Sequence, residues 1–303
     1  MEIKRRDLLK IIVSTAIGLP FAELLSAQPD LKTNKILHVF YHHIGSFKGK
    51  YWRNVSDFEN DIRLLRRSGF ESISCSDYLL YRNGRKTIPR KSVIISFDDG
   101  YANVVDNGMP VLRKYGYKAC FFIVAGWVSS SRKKGIVSWK DLNNILKEGH
   151  DIQCHTWSHP NLKTLADDQK KWDLEIGYSK EILERETGKA IRFFAYPYGS
   201  HNDFIIDKVE QYSFEAAFTT KPGLSYSDSS IYRLKRDQPG VKIEMDEILY
   251  KYQDQFGYRI KPKPRVVKEA EKPKKNKVIN SKSRENDFSD RINMNDVLRQ
   301  ILK

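Results

Sequence analysis

Cysteine is scarce in this chain: 303 residues contain three, Cys75, Cys120 and Cys154. They are too few and too scattered for a disulfide framework or a thiolate zinc site. Cys120, within CFFIVAG, reads as a small buried hydrophobe. Cys154 directly precedes His155, and on a strand the two side chains point to opposite faces. Histidine is sparse too, with seven in all and none after His201. Beyond the first 27 residues no apolar run is long enough to span a bilayer. Acidic residues do not balance the basic ones, leaving a formal charge of +15, but the excess is localised: residues 259–286 hold eleven Lys or Arg against three Glu. No recognition motif accompanies that stretch, so nucleic-acid binding, which would weaken steeply with salt, is the weakest of the functions considered.

What is present supports one sizeable domain with extensions, since 40% of the residues are hydrophobic. Residues 1–27 read as a targeting segment, with basic KRRDLLK, a mostly apolar stretch from Ile11 to Leu25, and small Ser26 and Ala27 near a cleavage point. Arg5 and Arg6 resemble a twin-arginine export pattern, with ordinary secretion and an uncleaved membrane anchor as alternatives. The expectation is an exported protein, periplasmic or extracellular. The domain is expected over 28–258, followed by a basic disordered linker at 259–286 and an amphipathic segment at 287–303 carrying Phe288, Ile292, Val297, Leu298 and Ile301. This tail is expected to associate with an envelope or membrane surface; the pattern is silent on oligomeric state.

Between these ends, short apolar strands alternate with amphipathic helices. ILHVFYHHI (36–44), SVIISF, CFFIVAG, DIQCHT, RFFAYPYG and EAAFTT read as strands. Residues 57–69, 110–115, 138–148, 167–186 and about 203–212 read as helices. Such alternation implies a parallel sheet covered by helices.

The chemistry collects at strand ends. Asp98 and Asp99 follow a run of apolar or small residues, Ser92 to Ser96, and Phe97, and precede Gly100, a geometry unlike that of a solvated turn. His155 and His159 stand four apart in HTWSHP. Alone, such a pair equally suits one helix face or a wet loop. Together with the acids, one carboxylate and two imidazoles can hold a zinc-like divalent ion with an open position for water, leaving the second carboxylate as a base.

SFDDG at 96–100 and HTWSH at 155–159 resemble the polysaccharide deacetylases, the NodB-like carbohydrate esterases of family four, whose first two motifs read TFDDG and His-Ser/Thr-x-x-His. The likeness runs from about Leu37 to Pro239. It implies an α/β fold, a distorted (β/α)7 barrel with parallel strands in a single catalytic domain and its site at the C-terminal strand ends. It also implies a metal-dependent hydrolase removing N-acetyl groups from amino sugars of a polysaccharide. By correspondence Asp99, His155 and His159 are the metal ligands, zinc being the expected ion, Asp98 is the base, and the backbone N–H of Tyr198 serves the oxyanion.

Two departures from the family pattern matter. The third motif, Arg-x-Pro-Tyr in most relatives, is here Ala195-Tyr196-Pro197-Tyr198, so the arginine that orients the base is missing, and Arg192 lies too far along an extended strand, on the opposite face, to replace it. The late histidine that often serves as acid is missing too. VFYHHIG matches instead the early Tyr-His of poly-β-1,6-N-acetylglucosamine deacetylases, which makes His42 the candidate acid with His43 its rival and slightly favours that polymer. Chitin-like and peptidoglycan glycans are the alternatives, as is a non-catalytic carbohydrate-binding protein retaining the fold. His38 is at most a supporting residue, His150 and His201 are peripheral, and Trp127, Trp139 and Trp157 suit core or sugar stacking equally.

Overall fold

The computed structural model describes residues 35–226 and 229–261; the expected targeting segment, nearly all of the basic stretch 259–286 and the segment 287–303 lie outside the described residues. Strands β1 (Ile36–Tyr41) and β5 (Ser92–Phe97) are buried along their whole length and pair in parallel, Ile36 with Ser92 through Tyr41 with Phe97. Burial on both faces explains why neither sequence alternates polar with apolar residues. β6 (Cys120–Ile123), β7 (Asp151–Cys154), β8 (Phe193–Ala195) and β9 (Ala216–Phe218) extend the sheet in that order, and short β4 (Glu71–Ser72) pairs with the start of β5, all in parallel. These are the expected seven strands of a barrel. A separate pair, β2 (His43–Ile44) and β3 (Trp52–Arg53), stands beside the end of β1.

Among the described residues no ladder joins β9 back to β1. The extended residues 234–237 bridge the gap instead: Leu234 pairs with Phe218 and Asp237 with Val39, both in parallel. The Asp237 N–H donates to the His38 carbonyl at 2.9 Å and the Asp237 carbonyl accepts from the Phe40 N–H at 3.1 Å. The sequence pattern does not reveal this closing segment.

The helices start where side chains can cap them. Asn54 accepts from the Ser56 N–H ahead of α1 (Val55–Arg67), and reciprocal capping boxes, Ser74 with Asp77 and Ser138 with Asp141, begin α2 (Cys75–Arg82) and α4 (Trp139–Lys147). A π-helical turn, Val104–Gly108, leads into α3 (Met109–Tyr115). The expected helix over 167–186 is interrupted: α5 (Gln169–Trp172) passes through a π-helical turn, Asp173–Tyr178, into α6 (Ser179–Thr187). Then follow α7 (Asp203–Gln211) and α8 (Met245–Phe256). None of the described helices is long and apolar enough to cross a membrane.

The two-residue period of the strands sorts side chains into two cores. Ile36, Ile94, Cys120, Phe122, Phe193, Ala195, Ala216, Phe218 and Leu234 pack together inside the barrel. Leu37, Val39, Tyr41, Val93, Ile95, Phe97, Phe121, Ile123, Cys154 and Phe194 face the helices. Continuing the inward parity past the strand ends leads to His42, Asp98 and His155, so pleat geometry alone aims three candidate site residues at one place. Leu234, wholly buried, anchors the closing segment. Leu234→Ala is therefore expected to destabilise the protein by about 2–5 kcal/mol in urea unfolding, whereas truncation of half-exposed Tyr250 is expected to stay within about 0.5 kcal/mol.

Candidate active site

Asp98 and Asp99 are neighbours, and on an extended strand they would point opposite ways. Asp99 instead takes a left-handed backbone, φ 75°, followed by Gly100 at φ 88°. Aspartate tolerates that region better than most residues. The reversal brings both carboxylates to the same end of the barrel, both buried. A second bend serves the histidines: Thr156 (φ 72°) and His159 (φ 63°) are left-handed as well, and the His159 N–H donates to the Thr156 hydroxyl at 2.9 Å. This curled loop is neither a helix face nor a wet turn.

The result is a convergent trio. One donor atom from each of Asp99, His155 and His159 lies within 4.8 Å of the others. Asp99 Oδ1 sits 3.4 Å from Nε2 of both imidazoles and is buried without a hydrogen-bond partner among the described residues. An orphaned carboxylate oxygen between two ring nitrogens is the arrangement that a divalent cation would complete, and the residues fit such an ion. The His155 ring is fixed from behind, with Nδ1 2.7 Å from the Ala195 carbonyl, which leaves Nε2 as the ligand atom. Burial and then the neighbouring His155 hold His159 down to about 4, a neutral imidazole at physiological pH. Burial alone would lower His155 too, but Asp99 and Asp98 outweigh it and raise the ring above its ordinary value.

Asp98 has a different partner. Arg236, on the closing segment, donates from Nη1 to Oδ1 at 2.7 Å and from Nη2 to Oδ2 at 2.8 Å, a two-pronged pair with both side chains buried. Its Nε donates to the Thr219 carbonyl at 3.0 Å and Nη1 also to the Ser96 hydroxyl at 3.2 Å, while its plane lies against Phe40, 4.3 Å from the ring centre. Burial by itself would raise the Asp98 carboxyl; Arg236 first, then His155, pull it below the ordinary 3.8. The arginine that Asp98 meets in this fold is thus Arg236. Arg192 instead pairs with Glu215. Sequence reasoning passed over Arg236 because nothing local distinguishes it from its neighbours Lys235 and Arg233.

His42 lies at the same strand ends. Burial lowers it from its ordinary 6.5, while the charges of Asp99 and Asp98 reach it and pull the other way. Gln238 Nε2 lies 3.2 Å from His42 Nδ1, and the Tyr51 ring lies tilted with its centre 4.8 Å from that of His42. His43 turns elsewhere: its ring lies between Trp52, at 4.2 Å, and Tyr101, at 3.5 Å, with Nδ1 2.9 Å from Asn103 Nδ2. Tyr198 sits at the lip, 66% exposed, with a left-handed backbone (φ 59°) and its ring 4.7 Å from His159. Trp127 approaches His159 at 5.7 Å, while Trp157 packs on Tyr178 at 5.1 Å. His38 is buried between Tyr78 and Phe218, and among the described residues neither ring nitrogen has a hydrogen-bond partner. His150 accepts from the Ala119 N–H, and Cys154 turns away from the site to meet Ser179 at 3.1 Å.

The Asp98–Arg236 pair has a testable pH signature. The folded carboxyl titrates below its unfolded value, so its stabilisation is complete above about pH 4 and lost as acid carries the pH down through the folded value. In Arg236→Met the buried carboxylate loses its partner, which costs about 3–5 kcal/mol at pH 7. Burial then raises its titration, so the sign reverses: from pH 7 to pH 5 the variant is expected to gain stability relative to the wild type. Urea midpoints at the two pH values in chelator check this.

The family model described as polysaccharide deacetylase matches residues 85–217. A Bacillus subtilis (strain 168) protein, YxkH, named as a candidate polysaccharide deacetylase, is 28% identical over 206 residues, 68% of this chain and 71% of that protein. A poly-β-1,6-N-acetyl-D-glucosamine N-deacetylase of Staphylococcus aureus (strain MRSA252) is 24% identical over 270 residues, 77% of this chain and 92% of its own. In fold, a Streptococcus pyogenes deacetylase, PplD, solved with acetate, superposes with a TM-score of 0.65 at 21% identity, covering 71% of this chain and 96% of that one. The seven parallel strands, both acids and both histidines in place, the family-model match over 85–217 and the named relatives together support a NodB-like polysaccharide deacetylase of carbohydrate esterase family four.

Proposed function

We propose that this polysaccharide N-deacetylase is an exported, zinc-dependent enzyme acting on poly-β-1,6-N-acetylglucosamine. The observation that carries the catalytic part is the separation of two adjacent carboxylates, Asp98 gripped by Arg236 and Asp99 facing His155 and His159. Neighbouring acids in contrasting surroundings serve different roles.

Asp99, His155 and His159 would hold the cation, and a set of one oxygen and two imidazole nitrogens suits zinc. When bound, the ion supplies Lewis acidity to water and to the acetyl carbonyl. Asp98 takes the proton from the attacking water; its two hydrogen bonds from Arg236 keep it ionised at neutral pH and hold its orientation. The Tyr198 backbone N–H serves the oxyanion, its Pro197 neighbour restricting the turn that presents it. His42 protonates the departing amine. Gln238 suits that role because an amide can either donate to or accept from Nδ1, so His42 keeps a partner in both protonation states.

The choice of polymer is supported by the early Tyr41-His42 pair and by the Staphylococcus aureus relative's name. Export is supported by the basic and apolar pattern of residues 1–27. The basic stretch at 259–286 suits attachment to an anionic envelope surface.

Acetate release from defined N-acetylglucosamine oligomers tests this reading. Turnover is expected to vanish in chelator and return with zinc. Asp98→Asn and His42→Gln are each expected to lower kcat by about 10²- to 10⁴-fold. A β-1,6-linked oligomer should be cleaved of acetate faster than a β-1,4-linked one. Wild-type protein that carries zinc yet releases no acetate from either would leave only a carbohydrate-binding role for the fold.

A further inference from the structure

The loop that supplies both histidines has no regular secondary structure, so the hydrogen bonds of its backbone must be found elsewhere. On one side, the N–H groups of Ala125 and Gly126, just after β6, donate to the carbonyls of Thr156 (3.0 Å) and Trp157 (2.9 Å), and the His155 N–H donates to the Ile123 carbonyl at 2.9 Å. This side requires glycine at 126, because a Cβ there would stand 2.6 Å from the Trp157 oxygen. The other side is served by one residue, whose main-chain carbonyl accepts from the Trp157 N–H at 3.1 Å and whose side chain adds to it. Glu175 accepts from the Trp157 N–H (3.1 Å) and the Ser158 N–H (2.9 Å) on Oε2 and from the Ser158 hydroxyl (2.5 Å) on Oε1.

Glu175 is buried and lies in the π-helical turn between α5 and α6. A π turn inserts one extra residue, which rotates the following side chains relative to a continuous helix. Here the turn coincides with the single carboxylate that enters the loop. Trp157, packed on Tyr178 of the same turn, fixes the loop's lateral position. Thr156 and His159 are held in left-handed conformations that few non-glycine residues adopt freely. Something must over-determine them, and Glu175, with three bonds to its carboxylate and one to its main-chain carbonyl, does so opposite the three bonds on the β6 side.

We infer that Glu175 is a positioning residue for the cation site: its carboxylate gathers Trp157 and Ser158 so that His155 and His159 present their Nε2 atoms at one point. This rests on the cation-binding reading above. Glu175 touches neither substrate nor ion; it acts through the loop between the two ligands. Loss of groups that orient metal ligands typically weakens metal binding about 10- to 100-fold.

The test is a zinc titration of the full chain in competition with a chromophoric chelator, with the Co²⁺ visible spectrum as a report of ligand geometry. Glu175→Gln keeps the length and one oxygen for both N–H groups, and its amide can donate to the Ser158 oxygen. It is expected to bind zinc within about threefold of wild type with an unchanged Co²⁺ spectrum. Glu175→Asp keeps the charge but withdraws the acceptors by one methylene, and is expected to bind about 10- to 100-fold more weakly with an altered spectrum. The opposite order, Asp near wild type and Gln weak, would mean that charge matters rather than reach and overturns the inference, as does wild-type affinity in both. If Glu175→Asp fails to fold, the Gln variant decides alone: a loss of tenfold or more there overturns it. Wild-type protein that takes up no zinc removes the cation-site reading itself, an outcome distinct from any of these.

Discussion

A guanidinium buried away from bulk solvent sets the terms for this barrel. Arg236 is 1% exposed, and burying such an ion costs several kcal/mol unless a counter-charge and acceptors replace its hydration. Asp98 supplies the charge, Thr219 and Ser96 supply further acceptors, and Phe40, Phe122 and Phe218 face the cation. These groups come from β1, β5, β6, the end of β9 and the closing segment. The pair can therefore form only once the barrel has closed, and closure without the pair would strand a charge on either side. Fold and site share one electrostatic condition.

That condition also divides the labour between adjacent acids. With both carboxylates in one environment, two like charges would compete for the same cations and one would take up a proton. The left-handed turn at Asp99 lets Asp98 follow the inward parity of β5 toward Arg236 while Asp99 meets the imidazoles. Both carboxyls are held below their ordinary values despite burial, Asp98 chiefly by Arg236 and Asp99 by the surrounding histidines. Adjacency in sequence thus becomes separation in chemistry through one unusual φ.

Much of this was legible beforehand. The strand runs that end in Asp98-Asp99, His155 and His42 could be read from apolar continuity, and their convergence follows from the two-residue pleat. The motifs identified the trio, and Cys154 faces away from the site as parity requires. Three features were hidden, each for a physical reason. Arg236 is 138 residues from Asp98 and lies in an extended segment with no periodicity, so only the tertiary fold joins them. That segment completes the barrel through isolated bridges rather than a ladder, and so lacks the apolar run by which a buried strand is recognised. The π turn at Asp173–Tyr178 is a one-residue deviation inside an otherwise helical pattern, invisible to periodicity yet decisive for where Glu175 points.

The seam between β9 and β1 explains how the departures from the common motifs fit together. The family model ends at residue 217 and begins at 85, so it includes neither His42 nor Arg236. Both lie on elements that meet at the seam: β1 carries His42, and the segment paired to it through Val39 and Asp237 carries Arg236 and Gln238. One short stretch thereby holds the proposed base with one residue and the proposed acid with another two positions on. Because side chains two apart on an extended chain face the same way, a single strand-like segment can reach both. On the proposed reading, the arginine missing beside Tyr198 and the histidine missing from the late sequence are replaced together, by residues that the closure of the barrel brings to the same edge.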